Sequence, residues 1–285
     1  MVVPVGSRSN TLSVVDPVGG REIAAVKTEP GPVWPLVDAA RGVVYVAAST
    51  EGRVAVHRVR TGAKLETIQV GGLPHDLGLF GDVLIVSNTN DGSQRYMSVV
   101  DVATGKVRAT HEVAWFPHRI AIDEASKRAY MMSVESGTIT VVDMRSGKVI
   151  ADFDSGGGGT MTFSTATRRL FVPGRDAGRP NTIRVIDADS RELLGEIGPF
   201  TGPGHQAFGL TVDEQRGLLY ATVGDSNLVG VADIDTLEPL GVFEVDTCPW
   251  GVRLDPERGR GYVTSPARGT LGIFDLIVVA AAARG

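Results

Sequence analysis

Residues 138–153 read TITVVDMRSGKVIADF, and the parsing of this stretch decides the fold. A β-branched run ends on an aspartate, Asp143, a Ser146–Gly147 turn follows, and a second run begins at Lys148. That is the pattern of two short strands joined by a tight turn. Glycine supplies a positive φ in such a turn, and Asp and Ser bond back to their own backbone.

The phrase recurs along the chain. LSVVD ends at Asp16, MSVVD at Asp101, IRVID at Asp187, VGVAD at Asp233 and LGIFD at Asp275, while VAVHR ends at Arg58 and supplies the missing beat. The intervals run from 42 to 46 residues, a period typical of four-stranded propeller blades. Each period also holds a run such as GVRLD or RIAID, then one such as GYV, LLYATV or VVYVAA, before the anchor and its TG or SG turn. Four strand-length segments per period leave no room for helices.

These beats predict an all-β chain, a seven-bladed β-propeller of four-stranded antiparallel blades forming a single domain over residues 1–285. The chain enters mid-blade, because MVVPVG aligns with a second strand. The ring is therefore expected to close between the N- and C-terminal segments, with residues after Asp275 supplying a closing strand that hides a sheet edge.

Composition agrees with such a fold and excludes several functions. Hydrophobic residues make up 42% of the chain, enough for a real core. A net charge of −5 argues against a nucleic-acid binder that neutralises phosphates. The lone cysteine, Cys248, rules out an internal disulfide. The opening MVVPVGSRSN is too short and polar for a signal peptide, and LIVVAAAA is too short to span a bilayer. The expectation is a soluble monomer with no membrane partner, periplasmic if a leader has been removed and otherwise cytoplasmic.

The VVD…TG beats with their YVA-type second strands resemble the YVTN-repeat propellers of the YncE-like group, over essentially all 285 residues. The resemblance implies the propeller fold and says little about function, since the family spans surface-layer proteins, periplasmic proteins and a few enzymes. Two places depart from the repeat: Arg58 replaces the anchor aspartate, and GGGGTMTF stands where other blades have a proline and an alternating run.

Function must then come from a site. Aligned on the first strand of each blade, the entries from the channel mouth are Val33, His75, His118, Gly159, Phe208 and Trp250, with His205 three residues before Phe208. Three of the five histidines thus fall at or beside these entries. His57 and His111 are read as solvent-facing residues of outer strands.

Two of the entries suggest catalysis: His75 and His118 are the candidate general acid or base of a lyase or hydrolase. Imidazoles converging from separate blades also suit a divalent metal, Zn, Cu or Fe, with His75, His118, His205 and Glu135 as ligands. Trp34, Asp76, Phe116, Arg119, Arg175, Gln206, Phe208 and Trp250 are the candidate ligand-binding residues, an apolar floor with a few aimed polar groups. A ring of ordinary polar residues at a wet mouth explains the same histidines, and aromatics there also wedge between blades. Longer loops over 87–96 and 173–181 carry Arg95, Asp91, Asp176 and Arg179 as further candidates.

No phosphate loop, His-Glu-x-x-His or Gly-x-Ser-x-Gly motif is present. The sequence therefore points to a propeller that binds a small-molecule ligand at the channel mouth. A non-catalytic protein or peptide interaction scaffold is the alternative.

Overall fold

Asp143 does two things at the end of its strand. Its Oδ1 accepts from the backbone N–H of Ser146 at 2.7 Å, and its carbonyl accepts from Gly147 N at 2.8 Å. Gly147 has φ +71°, and a Cβ there would stand 2.8 Å from Val99 of the neighbouring blade. The S-G turn is thus required by conformation and by close packing together. Asp101 holds Thr104 N, and Asp233 holds Asp235 N and Thr236 N, in the same way. Where Arg58 breaks the pattern, the turn persists, because Arg58 O still accepts from Gly62 N and the imidazole Nδ1 of His57 lies 3.1 Å from Gly62 O. His57 is 1% exposed, so it is a core residue rather than the solvent-facing one expected. His111 is half-buried.

The computed structural model of the protein describes residues 2–4, 9–89, 96–174, 182–200 and 207–284. The chain divides into two compact units, Met1–Asp152 and Phe153–Gly285. The first begins with a small three-stranded sheet, β1 (Val2–Pro4), β2 (Thr11–Val15) and β3 (Glu22–Lys27). Three four-stranded antiparallel blades follow. They are β4–β7 (Pro32–Asp38, Val43–Ala48, Arg53–Arg58, Lys64–Gln69), β8–β11 (Leu73–Phe80, Val83–Thr89, Tyr96–Asp101, Lys106–Glu112) and β12–β15 (Pro117–Asp123, Arg128–Ser133, Thr138–Asp143, Lys148–Asp154).

The second unit holds blades β16–β19 (Thr162–Ser164, Arg169–Pro173, Ile183–Asp187, Leu193–Ile197) and β20–β23 (Ala207–Asp213, Leu218–Val223, Leu228–Asp233, Pro239–Glu244). A three-stranded sheet, β24–β26 (Gly251–Asp255, Arg260–Ser265, Thr270–Asp275), ends it.

The all-β propeller architecture expected from the repeat is present, but the blade count is corrected. Among the described residues there are six blades, five of them four-stranded, and the small N-terminal sheet has three strands and is not a seventh four-stranded blade. The closing strand expected after Asp275 is absent among the described residues. Residues after Asp275 are a helix, α1 (Leu276–Arg284). Asp275 Oδ1 accepts from Ile277 N and Val278 N at 2.8 and 3.0 Å, which makes the last anchor aspartate an N-cap instead of a turn residue. Four consecutive alanines then favour helix over strand. Leu276 is fully buried, and Val279, Ala280 and Ala283 pack beside Leu240, Phe243 and Phe274, so the helix covers apolar surface where the other blades carry a fourth strand.

The central strands explain the repeat's apolar runs. Every residue of β5, β9 and β21 is buried, because a neighbouring blade covers each face. The outer strand β15 alternates between exposed and half-buried residues. In the second unit Glu214 ties two blades, accepting from Ser164 Oγ at 3.0 Å and Thr165 N at 2.7 Å. Removing residues 276–285 uncovers Phe274 and Phe243, a loss of roughly 3 kcal/mol of apolar burial. Calorimetry should show the melting temperature falling by about 5–10 °C; an unchanged value would show that the helix holds nothing.

Candidate functional site

The first strands carry a shared irregularity. Opposite Ser87 of β9, β8 places two residues, His75 and Asp76. Opposite Thr222 of β21, β20 places Phe208 and Gly209, and opposite Val46 of β5, β4 places Trp34 and Pro35. On β12 the register slips by one residue at His118. Such β-bulges re-aim a side chain out of the ladder. They set the alignment of the entries: Trp34, not Val33, is the counterpart of His75.

In the first unit the bulges bring rings together. The His75 and His118 imidazoles have centroids 3.6 Å apart with planes inclined by 31°, and Trp34 lies 6.2 Å from His75 at 48°. The Arg119 guanidinium sits 3.5 Å from the centroid of the Trp34 ring, a cation–π contact. Arg119 is 4% exposed, and its Nη1 lies 3.7 Å from Asp76 Oδ2. The Asp76 carboxylate also accepts from Leu77 N and, in the next blade, from Ile120 N, both at 2.9 Å. Asp76 and Arg119 thus form the frame behind the rings.

Burial away from water, then the neighbouring His118 and the Arg119 charge, push the His75 pKa down from 6.5 to about 2, against the pull of a hydrogen bond to the His118 backbone. His75 is neutral at physiological pH. Its Nδ1 is fully buried and has no hydrogen-bond partner among the described residues. A neutral imidazole in that setting can accept a hydrogen bond, but the same surroundings that hold it neutral make it a weak base.

The remaining candidates are dispersed. Phe116, in the left-handed region at φ 55°, and Trp115 are exposed on the approach to β12. Glu135 is exposed in the turn after β13. In the second unit Phe208 and Trp250 stack at 6.1 Å and 16°, both well exposed. His205, Gln206, Arg175, Arg95, Asp91, Asp176 and Arg179 lie outside the described residues. Among the described residues, no group of three or more His, Cys, Asp or Glu stands together as a metal site.

Ser87 was not singled out from sequence. It is fully buried, and its hydroxyl joins the two histidine-bearing strands, accepting from Asp76 N at 2.9 Å and donating to His118 O at 3.0 Å. The signal available was a polar SNT ending on the otherwise apolar run VLIV.

Among solved structures, the chain is similar to hydrazine synthase of Kuenenia stuttgartiensis, with a TM-score of 0.81 over 93% of this chain and 89% of that one at 14% identity. The likeness shows the fold alone. No family model and no curated protein matches the chain. Among the described residues, no helix is long and apolar enough to cross a membrane.

The depressed pKa of His75 sets a pH dependence. The unfolded chain takes up a proton as pH falls through about 6.5 and the folded chain does not until near pH 2, so this group's stabilisation is full above 6.5 and is lost below it. Against a His75→Asn variant, which cannot titrate there, the wild type should lose about 2 kcal/mol more between pH 7 and pH 5 in urea unfolding. Parallel losses in the two proteins would mean that His75 is not held neutral.

Proposed function

We propose that this protein is a YVTN-repeat, YncE-like propeller that binds a small organic ligand at the corner formed by Trp34, His75 and His118. The observation that carries the reading is the close pair of imidazoles delivered by bulges of successive blades, one of them neutral with a buried, unsatisfied nitrogen. Polar groups aimed from an aromatic surround are the ordinary composition of a ligand site. Arg119 places positive charge beside His75, which favours a neutral or anionic ligand over a cationic one. Propeller likeness contributes the scaffold and no chemistry.

An interaction scaffold is the second reading, and the exposed Phe208–Trp250 pair of the second unit supports it, since exposed aromatics commonly anchor partners. Isothermal titration with a panel of mono- and dicarboxylates, and separately with zinc chloride, tests the site. At least one carboxylate should bind, with affinity falling tenfold or more in the double variant His75→Ala, His118→Ala while its circular dichroism is unchanged. A panel that gives no heat, or binds both proteins alike, overturns the ligand reading. A zinc response lost in the double variant would restore a metal.

A further inference from the structure

Two buried hydroxyls occupy the same place in different blades. Ser87 accepts from the N–H of Asp76, the residue after His75, and donates to the carbonyl of His118 in the next blade. Thr222 accepts from Gly209 N, the residue after Phe208, at 2.8 Å, and donates to the carbonyl of Trp250 in its next blade at 3.0 Å. Each hydroxyl therefore joins the residue after one ring to the carbonyl of the ring-bearing residue in the next blade, and in both cases the two rings lie together, with planes inclined by 31° and 16°.

The blade β4–β7 lacks this device. Val46 occupies the position in β5, and the residue it faces is Pro35, which has no N–H to donate. The rings at that step, Trp34 and His75, are 6.2 Å apart and inclined by 48°. Where the donor is missing the hydroxyl is missing, and the ring planes are more steeply inclined.

We infer that Ser87 and Thr222 are positioning residues, whose hydroxyls clamp one blade's bulge to the next and thereby set the His75–His118 and Phe208–Trp250 ring pairs. A hydroxyl can hold both ends at once because it accepts and donates together. Cross-blade bonding through the backbone fixes where each ring's Cα sits, which apolar packing alone leaves free to slide. The inference rests on the proposed ligand reading only in taking the ring pairs as binding elements.

The test uses the ligand-free protein, so a wild type that binds nothing leaves its result standing. Imidazole resonances followed by NMR across pH should show, for Ser87→Ala, loss of the mutual ring-current displacement of His75 and His118. The protonation midpoint of His75 should rise by about one pH unit or more. Ser87→Thr should keep the wild-type resonances and pH profile, as Thr222 does the same work with its extra methyl. Thr222→Val should move the Trp250 indole resonance and Thr222→Ser should not, which decides the matter if Ser87→Ala fails to fold. A folded Ser87→Ala protein with unchanged imidazole resonances and pH profile, or Ser87→Thr behaving like Ser87→Ala, overturns the inference.

Discussion

A bulge inside a fully buried sheet breaks the ladder and leaves a backbone N–H in need of a partner, and the ring-bearing corners depend on how that donor is satisfied. An unpaired amide buried away from water costs about as much as a lost hydrogen bond. Here the solution for Asp76 and Gly209 is a hydroxyl from the adjacent strand, Ser87 or Thr222. At Pro35 the donor is removed altogether, and an apolar Val46 can stand opposite. Backbone satisfaction therefore selects the side chain on the second strand, and that side chain ties the next blade.

Electrostatics at the His75 corner follow from the same packing. Asp76 uses both carboxylate oxygens on backbone donors, Leu77 N and Ile120 N, and its Oδ2 also stands 3.7 Å from Arg119 Nη1. Arg119 lies on the Trp34 face as well. A buried cation held this way favours a neutral His75 imidazole beside it. The two histidines can stack closely because a proton on His75 is disfavoured by burial, by His118 and by Arg119 together.

Much of the architecture was legible. The anchor aspartate and its TG or SG turn are local chemistry: a carboxylate bonding back to N–H groups two and three residues ahead, and a glycine at positive φ. Periodicity alone therefore exposed the blades, and the proline-histidine entries marked the corner where His75 and His118 do meet. The last beat misled. LGIFD followed by LIVV reads as strand followed by strand, yet Asp275 caps a helix because the alanines beyond it lower the cost of helix and Leu276 finds a buried seat. With no closing strand there, the count of seven four-stranded blades failed.

What the sequence by itself determined was the set of local structures, the strands, their turns and their order, because these depend on residues a few positions apart. Tertiary structure alone decided what those strands do to one another. Ser87 and His118 are 31 residues apart, and nothing in either local stretch announces that a hydroxyl in one second strand will fix an imidazole in the next blade. Nor does sequence spacing reveal that Arg119 turns away from solvent onto Trp34, or that burial, with the neighbouring His118 and Arg119, denies His75 its proton. Those outcomes arise from burial and from the field of groups that only folding brings within a few ångströms, and both act through space rather than along the chain.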